Sequence, residues 1–270
     1  MKDVKNKYVL ITGAAMGMGK IFARKFAADG AKLVLVDVNK EALEHTAEEI
    51  RSTGGEVATY VCDLSQRRNV EELADKVHAE VGKMDVVVNN AGVVFGGEFL
   101  EVDQDKHDLT ISVNTMAVMW MTRAFLPDMI EKGAGHFLNM ASASGLLGLP
   151  KGASYAASKW ACIGFSESIR LEMAELGHKN IKVTTVAPSY IRTGMFDGVN
   201  APLLTPILDP EEVVDKAYRA FKRDQILVLE PFMVKVTPLL KGLLPPPLFD
   251  VVGKLFGVTR SMESWKGHGG

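Results

Sequence analysis

Short, continuously apolar segments alternate with amphipathic ones along most of the chain. The apolar segments read YVLIT, KLVLVDV, VATYVCDL, MDVVVNN, HFLNMAS, IKVTTVAP and ILVLEP. Strands of a parallel sheet that are buried on both faces have sequences of this kind. The intervening segments, such as EALEHTAEEIRSTG, have the period of an amphipathic helix, and this one ends in a glycine that suits a helix C-terminus. The alternation predicts an α/β protein with a doubly wound parallel sheet of about seven strands and helices on both faces.

The pattern changes near residue 230. From there the chain reads PFMVKVTPLLKGLLPPPLFDVVGKLFGV, which is apolar, rich in proline and sparsely charged. We therefore predict one domain with a main part, residues 1–230, and a C-terminal extension of the same domain, residues 231–270. Two interpretations of the extension remain open. In the first, it completes the core or an oligomer contact. In the second, it lies on a membrane or lines a hydrophobic entrance, as the lysines Lys235, Lys241 and Lys254 among its apolar residues indicate.

Composition narrows the class of protein. Hydrophobic residues make up 47% of the 270, enough for a sizeable core, and the net charge of −2 gives no reason to expect a nucleic-acid partner. The N-terminal residues lack the apolar segment of a secretory signal, and no uncharged apolar run approaches the roughly 20 residues of a membrane span. Both cysteines, Cys62 and Cys162, lie in apolar segments, as in reduced proteins. These features predict a soluble, cytoplasmic protein.

The histidines of the chain show no spacing typical of metal ligands. They are His45, His78, His107, His136, His178 and His268. We interpret them as structural or surface residues and predict that the protein holds no metal ion.

A glycine-rich loop follows the first predicted strand. Gly13, Gly17 and Gly19 stand between YVLIT and the start of the first helix. Glycine lets a backbone turn tightly and approach a pyrophosphate, which then lies against the free N–H groups of the helix N-terminus. The second strand ends in Asp37, about 20 residues further on, where a carboxylate binds a ribose diol in dinucleotide-binding proteins. The alternative is a tight turn and an ordinary surface aspartate.

Tyr155 and Lys159 stand four residues apart in a segment that otherwise reads as a buried helix. This spacing places them one turn apart on the same face. Small residues flank both of them: Ala153, Ser154, Ala156, Ala157 and Ser158. Small neighbours leave room for another molecule to approach this face, and a pair of ordinary surface residues would not need that room.

Three motifs occur in order: TGAAMGMG at 12–19, NNAG at 89–92 and SYAASK at 154–159. With them the chain resembles the short-chain dehydrogenase/reductase family, in its Tyr-x-x-x-Lys branch, over roughly residues 5–230. TGMFDG, PILDPEEVV and SMESWKG are further similar to the subgroup of retinol dehydrogenases and lipid-droplet 17β-hydroxysteroid dehydrogenases. The resemblance implies a Rossmann-like fold and an NAD(P)-dependent oxidoreductase that transfers hydride between a nicotinamide cofactor and an alcohol or carbonyl of a lipophilic substrate.

The resemblance also implies the active-site residues. They are Asn114, Ser142, Tyr155 and Lys159. Ser142 lies thirteen residues before Tyr155, which is the family's usual gap, and Ser144 is the alternative if the loop is shifted. Asn114 lies at the helix position where the family keeps a proton-relay asparagine.

A set of cofactor contacts follows from the same resemblance. They fall on Gly13, Gly17, Met18, Gly19, Asp37, Asp63, Asn90, Ala91, Tyr155, Lys159, Ile191 and Thr193. Asp63 is expected to face the adenine, and Thr193 the nicotinamide carboxamide. The sequence departs from the family where Ser189, instead of glycine, follows Pro188, and it shows no counterpart of the apolar N-terminal anchor of the subgroup's animal members.

The tyrosine and lysine supply what alcohol oxidation needs. The hydroxyl proton must be removed as hydride leaves the carbon, and a free tyrosine, with a pKa of about 10, is a poor base at neutral pH. An ammonium roughly 4 Å away contributes about 4 kcal/mol at an effective dielectric of about 20. Lys159 is therefore predicted to move the pKa of Tyr155 towards 7, where a general acid or base works best. Lys159 is also predicted to hold the nicotinamide ribose, and Ser142 to hydrogen-bond the substrate oxygen.

We predict NAD rather than NADP as the cofactor, because Asp37 would repel the 2′-phosphate of NADP. No lysine or arginine occupies the neighbouring positions that would compensate: Ala14, Ala15, Met16 and Val38. A lipophilic substrate, a retinoid, steroid or long-chain alcohol, is predicted because apolar residues suited to a lid follow Thr193. They are Met195, Phe196, Val199, Leu203, Leu204, Ile207 and Leu208.

The segment ISVNTMAVMWMTRAFL is apolar nearly all round, so a helix formed by it must be covered on every side. We predict that a second subunit provides part of that cover, in a homodimer or homotetramer, with the helix that bears Trp160 and Phe165. A large covering loop is the alternative. Two other functions also remain open: a non-catalytic dinucleotide sensor, and a lipid-surface protein in which the extension is the functional part.

Overall fold

The computed structural model describes residues 3–267, and a single parallel sheet lies at its centre. Its strands within that range are Tyr8–Thr12 (β1), Lys32–Asp37 (β2), Val57–Val61 (β3), Val86–Asn89 (β4), Gly135–Met140 (β5), Ile181–Pro188 (β6) and Leu227–Glu230 (β7). They lie in the order β3-β2-β1-β4-β5-β6-β7, and every neighbouring pair is parallel. The predicted doubly wound, Rossmann-like sheet of about seven strands is confirmed.

Helices cover both faces of the sheet. Within the described range they are Gly17–Ala28 (α1), Lys40–Ser52 (α2), Arg67–Glu80 (α3), Gln104–Ile111 (α4), Ala117–Lys132 (α5), Ala153–Glu175 (α6), Pro210–Lys222 (α7), Phe232–Leu243 (α8) and Pro246–Leu255 (α9). Residues of α1, α2 and α7 form the apolar cluster on one face, and residues of α3, α5 and α6 join the cluster on the other.

Strand β1 shows why most of these segments are continuously apolar. Val9 and Ile11 belong to the cluster on one face of the sheet, and Leu10 belongs to the cluster on the other. Successive side chains of a strand point to opposite faces, and β1 is covered on both. Strand β3 differs, because it lies at an edge of the sheet, and its residues are all at least partly exposed.

The segment ISVNTMAVMWMTRAFL spans the passage from α4 to α5. Between them Ser112–Met116 forms a π-helical turn, a feature that occurs frequently at functional sites. This turn carries Asn114 into the interior, where it is buried. The nearly all-apolar helix is therefore interrupted, and Ile111 on its surface stays 36% exposed.

The C-terminal extension contains two helices, α8 and α9, which follow directly on β7. Lys241 of α8 donates from Nζ to the carbonyl of Leu146 at 3.0 Å, and this Nζ lies 3.8 Å from the ring centroid of Trp160. Beyond α9, the Tyr190 hydroxyl donates to Ser261 Oγ at 2.7 Å. These contacts hold the extension against the loop after β5, against α6 and against the segment after β6.

Two kinds of feature are absent from residues 3–267. Nowhere in this range does a helix have both the length and the apolar character that crossing a bilayer requires. The same range contains no group of three or more histidine, cysteine, aspartate or glutamate side chains that could hold a metal ion. His268, one of the histidines named above, lies outside the described residues.

Candidate active site

Two cavities meet at Tyr155. The first, which we call the long cleft, runs along the carboxyl ends of the strands from the glycine loop to α6. The second, which we call the apolar cavity, lies between the loop after β5 and the C-terminal extension. The residues that line both are Ser142, Tyr155, Ser189 and Phe196. A molecule in one cavity is therefore in reach of a molecule in the other at this shared wall.

The glycine loop passes close to the segment that follows β4. Gly13 has a φ of +64°, and a Cβ there would lie 2.9 Å from the Ala91 Cα, so only glycine fits. Gly17, with φ +52°, begins α1. The residue before it, Met16, makes no side-chain hydrogen bond to the helix N-terminus. The first N–H groups of α1 thus lie open to the long cleft, as a pyrophosphate needs.

Gly19 is needed for packing within the loop. It does not line the long cleft, because it packs underneath the loop. A Cβ at Gly19 would lie 1.9 Å from the carbonyl oxygen of Gly13, which no rearrangement of a side chain can relieve. The third glycine of the motif therefore allows α1 to approach the loop, and its contact with a cofactor stays a prediction.

Asp37 is held rigidly at the end of β2. Its Oδ2 accepts a hydrogen bond from the Ala15 N–H and its Oδ1 from the Asn39 N–H, both at 3.0 Å. Asp63, after β3, is similarly fixed, since its Oδ1 accepts from the Ser65 N–H at 2.9 Å. Both carboxylates line the long cleft. A preformed carboxylate at the end of the second strand suits the ribose diol of a dinucleotide.

Asn90 braces the glycine loop. Its Nδ2 donates to the carbonyls of Thr12 and Gly13 at 3.0 and 3.1 Å. Its N–H and that of Ala91 both donate to Thr12 Oγ1. The side chain of Asn90 is therefore committed to the loop, and it contributes to a ligand site mainly by fixing the shape of that loop.

The structure brings the predicted dinucleotide residues other than Gly19 to one cleft. They are Gly13, Gly17, Met18, Asp37, Asp63, Asn90, Ala91, Tyr155, Lys159, Ile191 and Thr193. The sequence reasoning missed several others that line it: Cys62, Gly92, Val93, Met140 and Pro188. Each lies at or just beyond the carboxyl end of a strand, where ligands bind in open α/β sheets, so strand ends alone would have found them.

The residues of the cleft fit a nicotinamide dinucleotide. An uncapped helix N-terminus suits the pyrophosphate, a fixed carboxylate suits a ribose, and the loop glycine admits the backbone approach. The described lining also contains a single cation, Lys159, at the end nearest to Tyr155.

Tyr155 and Lys159 are both buried on α6. Lys159 donates from Nζ to the Met140 carbonyl at 2.9 Å, at the end of β5. Its Nζ lies 5.6 Å from the ring centroid of Tyr155. The helix thus places the two side chains side by side, as the four-residue spacing predicts, and the strand end holds the ammonium in position.

The pKa of Tyr155 does not follow the sequence-based prediction. Burial raises the pKa of Tyr155 above its usual value, and a hydrogen bond with Ser142 offsets this only in part. Burial also lowers the pKa of Lys159. The predicted shift towards 7 was wrong for the protein by itself, because burial removes solvent from the phenol and so disfavours its charged form. The phenol is therefore protonated at neutral pH in this state.

The loop after β5 distinguishes Ser142 from Ser144. Ser142 Oγ accepts a hydrogen bond from the Ser144 N–H at 3.2 Å, and its side chain bonds to Tyr155. The Ser144 Oγ is buried and makes no hydrogen bond to any described residue, although Ser144 lines the apolar cavity. Ser142 is thus the serine beside the tyrosine.

Asn114 connects α6 to the segment after β4. Its Oδ1 accepts from the Val93 N–H, and its Nδ2 donates to the Val93 carbonyl, both at 2.8 Å. Nδ2 also lies 3.1 Å from Ser158 Oγ. A Cβ on Gly92 would lie 3.2 Å from Asn114 Oδ1 and 3.6 Å from Lys159 Nζ, so the asparagine and the lysine approach the same glycine.

The apolar cavity is built mostly from residues far apart in the sequence. Its space amounts to about 930 Å³, including the open mouth. The extension contributes Met233, Val234, Thr237, Leu240, Phe249, Val252, Gly253 and Phe256. From the predicted lid, Phe196 and Leu203 line it, whereas Leu208 is buried against Ile191. The extension is thus a wall of the cavity, as the hydrophobic-entrance interpretation predicted.

Comparison with known proteins agrees with this geometry. The short chain dehydrogenase family matches residues 7–203. Epidermal retinol dehydrogenase 2 of Mus musculus is 40% identical over 269 residues, which cover 98% of this chain and 87% of the mouse protein. Estradiol 17-beta-dehydrogenase 11 of Homo sapiens is 35% identical over 257 residues, which cover 95% of this chain and 85% of the human protein.

Solved structures show the same fold with either cofactor. A short chain dehydrogenase/reductase from Burkholderia phymatum in complex with NAD has a TM-score of 0.82 and 29% identity, covering 90% of this chain and 95% of its own. A metagenomic short-chain oxidoreductase in complex with NADP has a TM-score of 0.72 and 33% identity, covering 85% of this chain and 99% of its own. The similarity therefore supports a nicotinamide dinucleotide in the long cleft without choosing between the two.

Proposed function

Because the chain belongs to the short-chain dehydrogenase/reductase family, we propose that it transfers hydride between NAD and an alcohol or carbonyl group of a lipophilic substrate. Family membership makes it an NAD(P)-dependent oxidoreductase. NAD and the lipophilic substrate are the parts that we add. The observation that supports them most directly is the position of Tyr155, in the wall between a dinucleotide cleft and an apolar cavity.

The residues at the shared wall divide the chemical work. When bound, the nicotinamide accepts the hydride from the substrate carbon or supplies it. In reduction the protonated Tyr155 donates its proton to the substrate oxygen, and in oxidation its deprotonated form takes the proton from the substrate hydroxyl. Ser142, hydrogen-bonded to that tyrosine, holds the same oxygen and stabilises its developing charge. Lys159, whose Nζ is fixed by the Met140 carbonyl, places its amino group beside the phenol.

The lining of the apolar cavity supports a lipophilic substrate. Its walls are mostly aliphatic and aromatic, and Ser142 and Tyr155 are among its polar lining residues. Such a cavity orients a ligand by one polar group and binds the rest by burial. Two relatives are named for retinol and estradiol, which are lipophilic alcohols. We propose a retinoid, a steroid or a long-chain alcohol as the substrate.

A series of straight-chain alcohols tests this proposal. Each added methylene that becomes buried contributes about 0.8 kcal/mol, so kcat/KM is expected to rise about fourfold per methylene until the cavity is filled. Leu240→Ala removes part of the apolar cavity wall, and it is expected to reduce the gain in kcat/KM for the longer alcohols. Leu239→Ala is the matched control, because Leu239 is the neighbouring leucine and is 62% exposed. A flat series, or faster turnover of polyols, would contradict a lipophilic substrate.

A non-catalytic sensor is the other function considered. A sensor needs the dinucleotide cleft but has no use for Tyr155 and Ser142 facing a second cavity. Both residues, and Lys159, are present and placed together. These features favour the enzyme.

We also propose that the protein is a homodimer or homotetramer. Part of the apolar surface of α6 is exposed, with Leu171 at 48% and Trp160 at 43%. The ammonium of Lys241 covers one face of the Trp160 ring, so the extension already shares that surface. Light scattering at micromolar concentration is expected to give the mass of a dimer or tetramer, and a monomeric mass would contradict the proposal.

A cytoplasmic location is proposed from the thiols. Cys62 and Cys162 are both free and buried, and burial raises the pKa of the Cys62 thiol to about 11. Thiols of this kind suit a reducing compartment and take no part in the proposed reaction.

A further inference from the structure

The two helices of the extension are apolar on two sides. In α8, Val234 and Leu240 face the apolar cavity, and in α9, Phe249 and Val252 do so. The cavity accounts for only one side of each helix. The residues on the other side need a separate explanation.

The outward sides of α8 and α9 carry six large apolar residues. They are Phe232, Leu239 and Leu243 on α8, at 71%, 62% and 71% exposure, and Leu248, Val251 and Leu255 on α9, at 49%, 54% and 76%. Their spacings of three, four and seven residues place each set on one helix face. We call these six residues the outer tail surface.

The mouth of the apolar cavity lies beside other exposed apolar residues. Leu203 lines the cavity and is 62% exposed, so it lies at the rim. The next residue, Leu204, is 64% exposed. Leu203 is connected to the extension by its N–H, which donates to the Phe256 carbonyl at 2.8 Å. Contiguous exposed apolar residues mark contact with a protein or a membrane.

The charge of the extension distinguishes between these two. Residues 230–267 carry five lysine and arginine side chains and three acidic ones, of which Glu230 pairs with Lys235, although the whole chain has a net charge of −2. An anionic surface complements this local excess of positive charge. A second copy related by a twofold axis would place the same basic segment against itself, where like charges repel.

We propose that the outer tail surface lies on an anionic lipid bilayer, and that a lipophilic substrate passes from the bilayer past Leu203 into the apolar cavity. The passage of substrate rests on the proposed function, whereas the contact with the bilayer does not. The apolar side chains of α8 and α9 would enter the boundary of the acyl chains, while lysines such as Lys254 remain among the head groups.

Vesicle flotation tests the bilayer contact without cofactor or substrate. The full chain is mixed with vesicles of phosphatidylcholine alone, or of phosphatidylcholine with phosphatidylserine. We expect it to float with the mixed vesicles, to bind the neutral ones more weakly, and to be released in part by high salt. The double variant Leu243→Glu/Leu255→Glu is expected to lose at least about tenfold in partitioning, since two of the most exposed apolar contacts become charged.

The matched control changes two exposed leucines outside the extension. Leu100→Glu/Leu176→Glu alters residues of 94% and 62% exposure, in the loop after β4 and after α6, and it is expected to leave flotation unchanged. Equal loss in both double variants, or no flotation of the wild type, would overturn the proposal. If the Leu243→Glu/Leu255→Glu variant instead changes mass in light scattering while vesicles never bind the wild type, a second copy covers the surface, and the proposal is again wrong.

Activity separates this proposal from the proposed function. Oxidation of a short, water-soluble alcohol is expected to be the same in the wild type and in Leu243→Glu/Leu255→Glu, because these leucines do not line either cavity. Oxidation of a long-chain alcohol dissolved in vesicles is expected to fall with the lost flotation. If flotation behaves as expected while no alcohol is oxidised by either protein, the proposed function fails and the bilayer contact stands.

Discussion

Replacement of Tyr155 by phenylalanine is expected to lower kcat about a hundredfold or more, while NADH binds with nearly unchanged affinity. The change removes only the phenolic oxygen, which is the group that exchanges a proton with the substrate. The ring, which lies 5.8 Å from that of Phe196, keeps its packing. Steady-state rates give kcat, and a fluorescence titration gives the affinity for NADH.

Tyr218→Phe is the control for loss of a tyrosine hydroxyl. Tyr218 lies on α7 and donates to Asp29 at 2.8 Å, away from both cavities, so turnover should be retained. If Tyr155→Phe kept more than about a tenth of the wild-type turnover, its contribution to the barrier would be below about 1.4 kcal/mol, and Tyr155 would not be the acid or base.

The wild type is expected to bind NADH at least about tenfold more tightly than NADPH. The Asp37 carboxylate is held at the end of β2 by two backbone N–H groups, so it cannot turn away from a 2′-phosphate. At about 4 Å and an effective dielectric of about 20, each pair of like charges costs about 4 kcal/mol, and solvent reduces this. Val38 next to it is 67% exposed and offers no positive charge. Titration with both reduced cofactors measures the ratio.

Asp37→Ala is expected to reduce the preference for NADH over NADPH, because it removes the charge that repels the 2′-phosphate. Asp63→Ala is the matched control, since Asp63 also lines the long cleft but lies after the third strand. It should weaken the binding of both cofactors alike and leave the ratio of the two affinities unchanged. Tighter binding of NADPH than NADH by the wild type would refute the choice of NAD.

Local sequence determined the scaffold and the dinucleotide half of the site. Strands such as β1 are covered on both faces, and this requirement appears in the sequence as an unbroken apolar run. Gly13 and Asp37 stand at strand ends, where a short-range pattern is enough to place them. Tyr155 and Lys159 lie one helical turn apart, so their proximity is a property of α6 alone.

Tertiary structure decided what depends on residues distant in the chain. The Lys241 contact with Leu146 and the Tyr190 contact with Ser261 join residues 95 and 71 positions apart, and such pairs leave no periodic signal in the sequence. They turn the extension into a wall of the apolar cavity. The raised pKa of Tyr155 has the same origin, because burial is the sum of contributions from many elements, whereas the sequence showed only the lysine beside it.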